Sequence, residues 1–136
     1  MDKIYIDSSA FLKLIFSEEY SSDIRLYLVE HESRITVVSS KLLETEVIRT
    51  AVRESHDMEL VQRALGLVQI YSVDDSDFTR AAKMAQNEDG RYLRALDAIH
   101  LACAEKLAVT KILTYDKVQS NVATLPDLRL FRPERE

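Results

Sequence analysis

Five short apolar runs, set apart by helix-length stretches, decide what this chain can fold into. They are Ile4-Tyr5-Ile6, Arg34-Ile35-Thr36-Val37-Val38, Ile70-Tyr71-Ser72-Val73, Lys111-Ile112-Leu113-Thr114-Tyr115 and Arg129-Leu130-Phe131. Length and β-branched or aromatic content mark them as strands. Between them lie helical patterns: Ala10 to Phe16, a second helix starting at Ser21 or Ser22, and a long helix capped by Ser39-Ser40 and running to about Glu54. Further helices follow over Leu60 to Leu67, from Asp74-Asp75-Ser76-Asp77 to about Gln86, and from about Arg94 to Leu107, with a short one toward Ala123. Asn87 to Arg91 is a polar loop. Strands separated by helices imply a mostly parallel sheet in a three-layer α/β/α domain. Only two Gly and two Pro occur, so little of the chain is barred from regular structure.

The chain has 136 residues, the size of one domain, and 1–136 is expected to be a single unit with its core over about 3–131. No apolar run approaches ~20 residues, so no membrane span is expected. The start, Met1-Asp2-Lys3-Ile4, lacks the features of a signal peptide. The one cysteine, Cys103, excludes an internal disulfide and fits a reducing cytoplasm; among Ala and Leu it reads as a small core residue. Net charge is -5. That argues against nucleic-acid binding by a global positive field, but leaves room for a local basic rim or a basic partner.

Four acids stand out. Asp7 ends the first strand, where ligands of open α/β sheets gather. A helix cap explains Asp7 alone equally well, with Ser8 or Ser9 also available as caps. Glu46 falls inside the apolar stripe formed by Leu42, Leu43, Val47 and Ala51, where a carboxylate costs energy unless paired or bound to a cation. Arg49 and Arg53 are the available ion-pair partners on its own helix. Asp97 sits in the segment Leu93 to Ala104, which is polar only at Arg94, Asp97 and His100, a single stripe at spacing three. That stripe must face a cavity, a partner or water. His100 beside aliphatics reads as a packed, hydrogen-bonded residue rather than a ligand. Asp116 follows the fourth strand as Asp7 follows the first.

Carboxylates drawn together repel unless a cation neutralises them. Oxygen donors without a Cys or His cluster select Mg2+ or Mn2+ over Zn2+. With no Gly-rich phosphate loop, hydrolysis of a phosphodiester is favoured over use of a nucleotide cofactor. Ser9, Ser39, Ser40 and Thr114 at the strand ends are placed to support metal or water from behind.

These segments resemble the PIN-domain ribonucleases, and within them the VapC toxins of type II toxin–antitoxin systems. Tyr5-Ile6-Asp7-Ser8-Ser9-Ala10 is similar to the family's opening strand, and Glu46 in Leu43-Glu44-Thr45-Glu46-Val47-Ile48-Arg49 to its helix acid. Leu96-Asp97-Ala98-Ile99-His100-Leu101-Ala102 is similar to its most recognisable segment, and Thr114-Tyr115-Asp116 to its last motif. The resemblance implies a five-stranded sheet in order 3-2-1-4-5. It implies a Mg2+- or Mn2+-dependent endoribonuclease with Asp7, Glu46, Asp97 and Asp116 as metal-binding and catalytic residues. It further implies growth arrest through cleavage of tRNA or rRNA, homodimerisation, and inhibition by a VapB-like antitoxin that inserts an arginine or lysine into the acidic pocket. Phe11 and Ile15 are expected to help form the antitoxin groove. Lys13, Arg49, Arg53, Arg91, Arg94 and Lys117 are the cations available for an RNA-binding rim.

Two other classes compete. A PIN-like module that binds without cleaving would be expected to lose some of the acids, and all four are present. A receiver domain or an Asp-x-Asp phosphatase would want an acid just after Asp7, where Ser8 and Ser9 stand.

Overall fold

The structure, a computed structural model, describes residues 1–86 and 91–116, the backbone of 129–131, and residue 133. The expected loop at 87–90, the short helix toward Ala123 and the rim residue Lys117 lie outside the described residues. Along the chain come β1 (Asp2–Ile6), α1 (Ser8–Ile15), α2 (Ser21–His31), β2 (Ile35–Ser40), α3 (Lys41–Arg53), α4 (Met58–Leu65), β3 (Gln69–Tyr71), α5 (Asp75–Met84), α6 (Ala95–Lys106), β4 (Lys111–Leu113) and β5 (Arg129–Phe131). The sheet has five strands in order β3-β2-β1-β4-β5. Every pairing is parallel, and β1 lies between β2 and β4 with Ile4 opposite both Val37 and Lys111.

The central strand explains the layering. Successive side chains of β1 leave opposite faces of the sheet. Ile4 and Ile6 enter one apolar layer with Phe11, Ile24, Leu43, Val47 and Leu113. Tyr5 enters the other with Val38, Met84, Leu101, Cys103 and Ile112. Each large aliphatic side chain so buried contributes roughly 1.5–3 kcal/mol. Helix α6 is buried from Ala98 to Ala104, and its small residues let it lie close to the sheet. Phe11, expected at an exposed groove, is 0% exposed. The tight entry into α1 directly after β1 turns that residue inward, and Ile15 is half-buried against the same layer. No helix among the described residues is long and apolar enough to cross a membrane.

The expected boundaries move at points that matter for the site. Asp7, not Ser8 or Ser9, is the N-cap of α1: its Oδ1 accepts from the Ala10 N–H at 3.0 Å. Ser39 and Ser40 are the last residues of β2, and Ser40 is the N-cap position of α3, without a side-chain cap bond. The Ser39 hydroxyl donates to the Ile6 carbonyl at 2.7 Å, tying β2 to β1. Strand β4 stops at Leu113, before the expected Tyr115. Beyond it, backbone donors go to side chains instead of a ladder: Tyr115 N–H to Ser9 Oγ at 2.8 Å, and Asp116 N–H to Thr114 Oγ1 at 3.1 Å. Tyr115 is pinned further. Its ring stacks on Tyr20 at 5.2 Å, and its hydroxyl donates to the Pro133 carbonyl at 2.8 Å. Tyr20 holds a left-handed φ of 68°, a strained conformation for a bulky residue.

Candidate active site

Because β1 and β4 are adjacent and parallel, their carboxyl ends open on one edge of the sheet. Asp7 leaves that edge first and is 3% exposed. Besides the cap, its Oδ1 accepts from the Ser9 hydroxyl at 2.7 Å. Ser9 and Thr114 hydroxyls lie 3.3 Å apart and so join the two strand ends. Burial pushes the Asp7 carboxyl above its ordinary range, against the hydrogen bonds from Thr114, the Ala10 N–H and Ser9. Asp7 is therefore both a helix cap and a buried acid at a strand end.

The other acids arrive from three further places. Glu46 comes from the middle of α3, Asp97 from the first turn of α6, and Asp116 from the segment after β4. All four acids line one cavity of about 360 Å³, together with Ser8, Ser9, Arg94 and His100. The carboxyl of Asp97 is raised to about 6, first by burial and then by the negative charges of Asp116 and Asp7. That mutual repulsion is the electrostatic sign that the four acids share one space.

Glu46 behaves differently. Arg49 and Arg53, its expected partners, do not hold it: Arg49 is exposed and Arg53 lies 3.6 Å from Glu54. Both point away because the stripe that carries Glu46 faces the core. Its Oε1 instead lies 2.6 Å from His100 Nε2 and accepts from the Ser8 hydroxyl at 2.6 Å. Burial is the largest influence on Glu46 and acts to raise its carboxyl. The His100 hydrogen bond and charge, with the Ser8 bond, outweigh it, and the group sits below its ordinary range. One cavity thus holds carboxyls pushed in opposite directions, the pattern of a site with divided roles.

His100 is packed and hydrogen-bonded, as its surroundings in the sequence imply, yet it also touches an acid of the cavity. It stands one turn after Asp97 on the same stripe, a visible signal. The partnership of Tyr5 and Ser8 with this network had none, because their partners lie far along the chain. Of the expected rim, Arg94 lines the cavity, while Arg91 is exposed and Lys13 is paired with Glu18 at 3.3 Å.

The donor set is carboxylate oxygen throughout, which suits a hard divalent cation. Among the described residues, no group of three or more His, Cys, Asp or Glu side chains is arranged as a finished metal cage. The fit is therefore one of charge and donor type.

A family model described as PIN domain matches residues 4–125. Ribonuclease VapC46 of Mycobacterium tuberculosis is 34% identical over 136 residues, covering 98% of this chain and 99% of that protein. Among solved structures, VapBC2 from Rickettsia felis, bound to a DNA fragment from its promoter, superposes with a TM-score of 0.72. It shares 12% identity, and the match covers 97% of this chain and 99% of that one. Mycobacterium tuberculosis VapC20, a sarcin–ricin loop cleaving toxin, gives a TM-score of 0.70 at 16% identity over 90% of this chain and 96% of that one.

Proposed function

The chain belongs to the PIN-domain family and, within it, to the VapC ribonucleases, and on that premise we propose that it is a metal-dependent endoribonuclease toxin restrained by a VapB-like antitoxin. The observation that carries this reading is the convergence of Asp7, Glu46, Asp97 and Asp116 on one cavity from four separate segments. These four would hold Mg2+, or Mn2+ in its place. Such an ion neutralises the cluster, polarises a scissile phosphodiester and lowers the pKa of a bound water.

The chain's own groups have distinct tasks in this reading. Asp7, fixed by the Ala10 N–H and Ser9, is the rigid anchor. Glu46, held ionised, keeps negative charge available at neutral pH. Asp97, raised to about 6, is mostly ionised at neutral pH and would be a ligand whose repulsion with Asp116 and Asp7 a cation would offset. Arg94 on the cavity wall meets a phosphate of the RNA backbone, which positions the strand without reading its sequence. Ser9 and Thr114 hold the two strand ends in register beneath the carboxylates.

RNA of the ribosome or tRNA is the proposed substrate class, and the sarcin–ricin loop named for VapC20 favours ribosomal RNA. A basic antitoxin side chain in the acidic cavity would compete with cation and substrate alike, and the net charge of -5 suits such a partner. Homodimerisation and a cytoplasmic location belong to the same proposal. The test is induction in a bacterial host with and without co-expression of a VapB-like antitoxin, sought as a small reading frame beside the gene. Growth arrest relieved by co-expression supports the reading; arrest by an equally abundant Asp97→Asn protein overturns it.

A further inference from the structure

One buried network reaches the cavity without lining up among the acids. His100 is 1% exposed. Its Nδ1 lies 2.6 Å from the Tyr5 hydroxyl, and its Nε2 lies 2.6 Å from Glu46 Oε1. The Tyr5 hydroxyl also lies 3.0 Å from Ser40 Oγ. The two rings meet edge to face at 5.6 Å and 73°. The network therefore crosses from β1 and β2, through α6, to α3.

Proton counting limits what the network can be. The Tyr5 hydroxyl has one proton for two neighbours. If it donates to His100 Nδ1, the imidazole proton is on Nε2 and donates to Glu46. If it donates to Ser40, as the geometry has it, Nδ1–H donates to Tyr5, and Nε2–H faces the Glu46 carboxylate when the ring is the doubly protonated imidazolium. The Nε2–H tautomer and the imidazolium each place a donor on Glu46. That donor and the Ser8 hydroxyl fall on the same oxygen, Oε1. Two donors on one oxygen fix the rotation of the carboxylate. Oε2 accepts no hydrogen bond among the described residues and is left to the cavity.

We propose that His100 is the positioning residue for Glu46, holding its carboxylate at Oε1 so that Oε2 is presented to the cation, with Tyr5 fixing the imidazole from behind. The proposal rests on the ribonuclease reading, because the cation and the cleavage it supports come from there. Its geometry is the chain's own: a helix that carries Asp97 into the cavity also carries, one turn later, the group that aims an acid of a second helix.

The test pairs His100→Leu with Glu46→Gln, the double variant, and His100→Gln, whose amide reaches toward Glu46 as Nε2–H does. Mn2+ affinity is measured by calorimetry, cleavage by kcat and KM separately, and folding by circular dichroism without metal. His100→Leu is expected to weaken Mn2+ binding by about 10- to 100-fold, the range for groups that orient a metal ligand. It is expected to lower kcat more than it raises KM. His100→Gln should restore part of both, and the double variant should be little worse than Glu46→Gln alone, since one group acts through the other. Loss at Glu46→Gln with none at a folded His100→Leu overturns the positioning role and leaves the ribonuclease reading standing. So does full additivity in the double variant. No loss at either residue overturns both.

Discussion

Asp97 carries its charge against its surroundings. Burial and the neighbouring Asp116 and Asp7 raise its carboxyl to about 6, above the ordinary aspartate value near 3.9. Between those two values the folded chain binds more protons than the unfolded one, so stability falls as pH rises through the window. Asp97→Asn removes that cost. In metal-free solution it is expected to melt higher than wild type at pH 8, by about 1–2 kcal/mol after allowance for partial exposure, and equally near pH 4. Thermal melts at the two pH values check this; a lower melting point for the folded variant at pH 8 would contradict it. Asp97 and Asp7 were legible as candidates for one cavity because an acid among aliphatics, or at a strand end, has few places to go. Glu46 was legible as misplaced, but its partner was not. His100 lies 54 positions away, and only the packing of α6 against α3 brings it to Glu46.

At the scale of elements, α5 and α6 are fastened by two ion pairs, Arg80–Glu105 at 3.0 Å and a more buried one. Lys106 Nζ lies 2.6 Å from Oδ2 of Asp77, which is 2% exposed. Asp77 also completes the capping box of α5, accepting from the Asp74 N–H at 3.0 Å. Lys106→Ala would leave that buried carboxylate without its cation, at an expected cost of about 2 kcal/mol. Urea denaturation measures it, and activity per folded molecule at low temperature should stay at the wild-type level. The elements themselves were readable because strand runs and helix stripes differ in period. Their ends were less so. The halt of β4 at Leu113 depends on Ser9 and Thr114 taking backbone N–H groups, a competition between distant residues. The inward turn of Phe11 likewise follows from Asp7 capping α1 with no intervening loop.

For the molecule as a whole, the parallel order β3-β2-β1-β4-β5 turns four weak local signals into one acidic cavity, because it sets the ends of β1 and β4 side by side. The fold is stable on its two apolar layers, while the cavity is a site of repulsion that a divalent cation would relieve. Cation binding to the folded state alone should therefore raise stability, by about 2.7 kcal/mol at a hundredfold excess over Kd. Mn2+ should raise the melting temperature of wild type and have little effect on Asp97→Asn; equal shifts in both would place the ion elsewhere. The most direct test is cleavage of ribosomal and transfer RNA by the purified protein, with RNA ends mapped, in Mg2+, in chelator, and with the folded Asp97→Asn variant. Discrete cuts by wild type in Mg2+, absent with chelator and with the variant, are the expected result. Undiminished cleavage by the variant, or by wild type stripped of divalent cations, would contradict it.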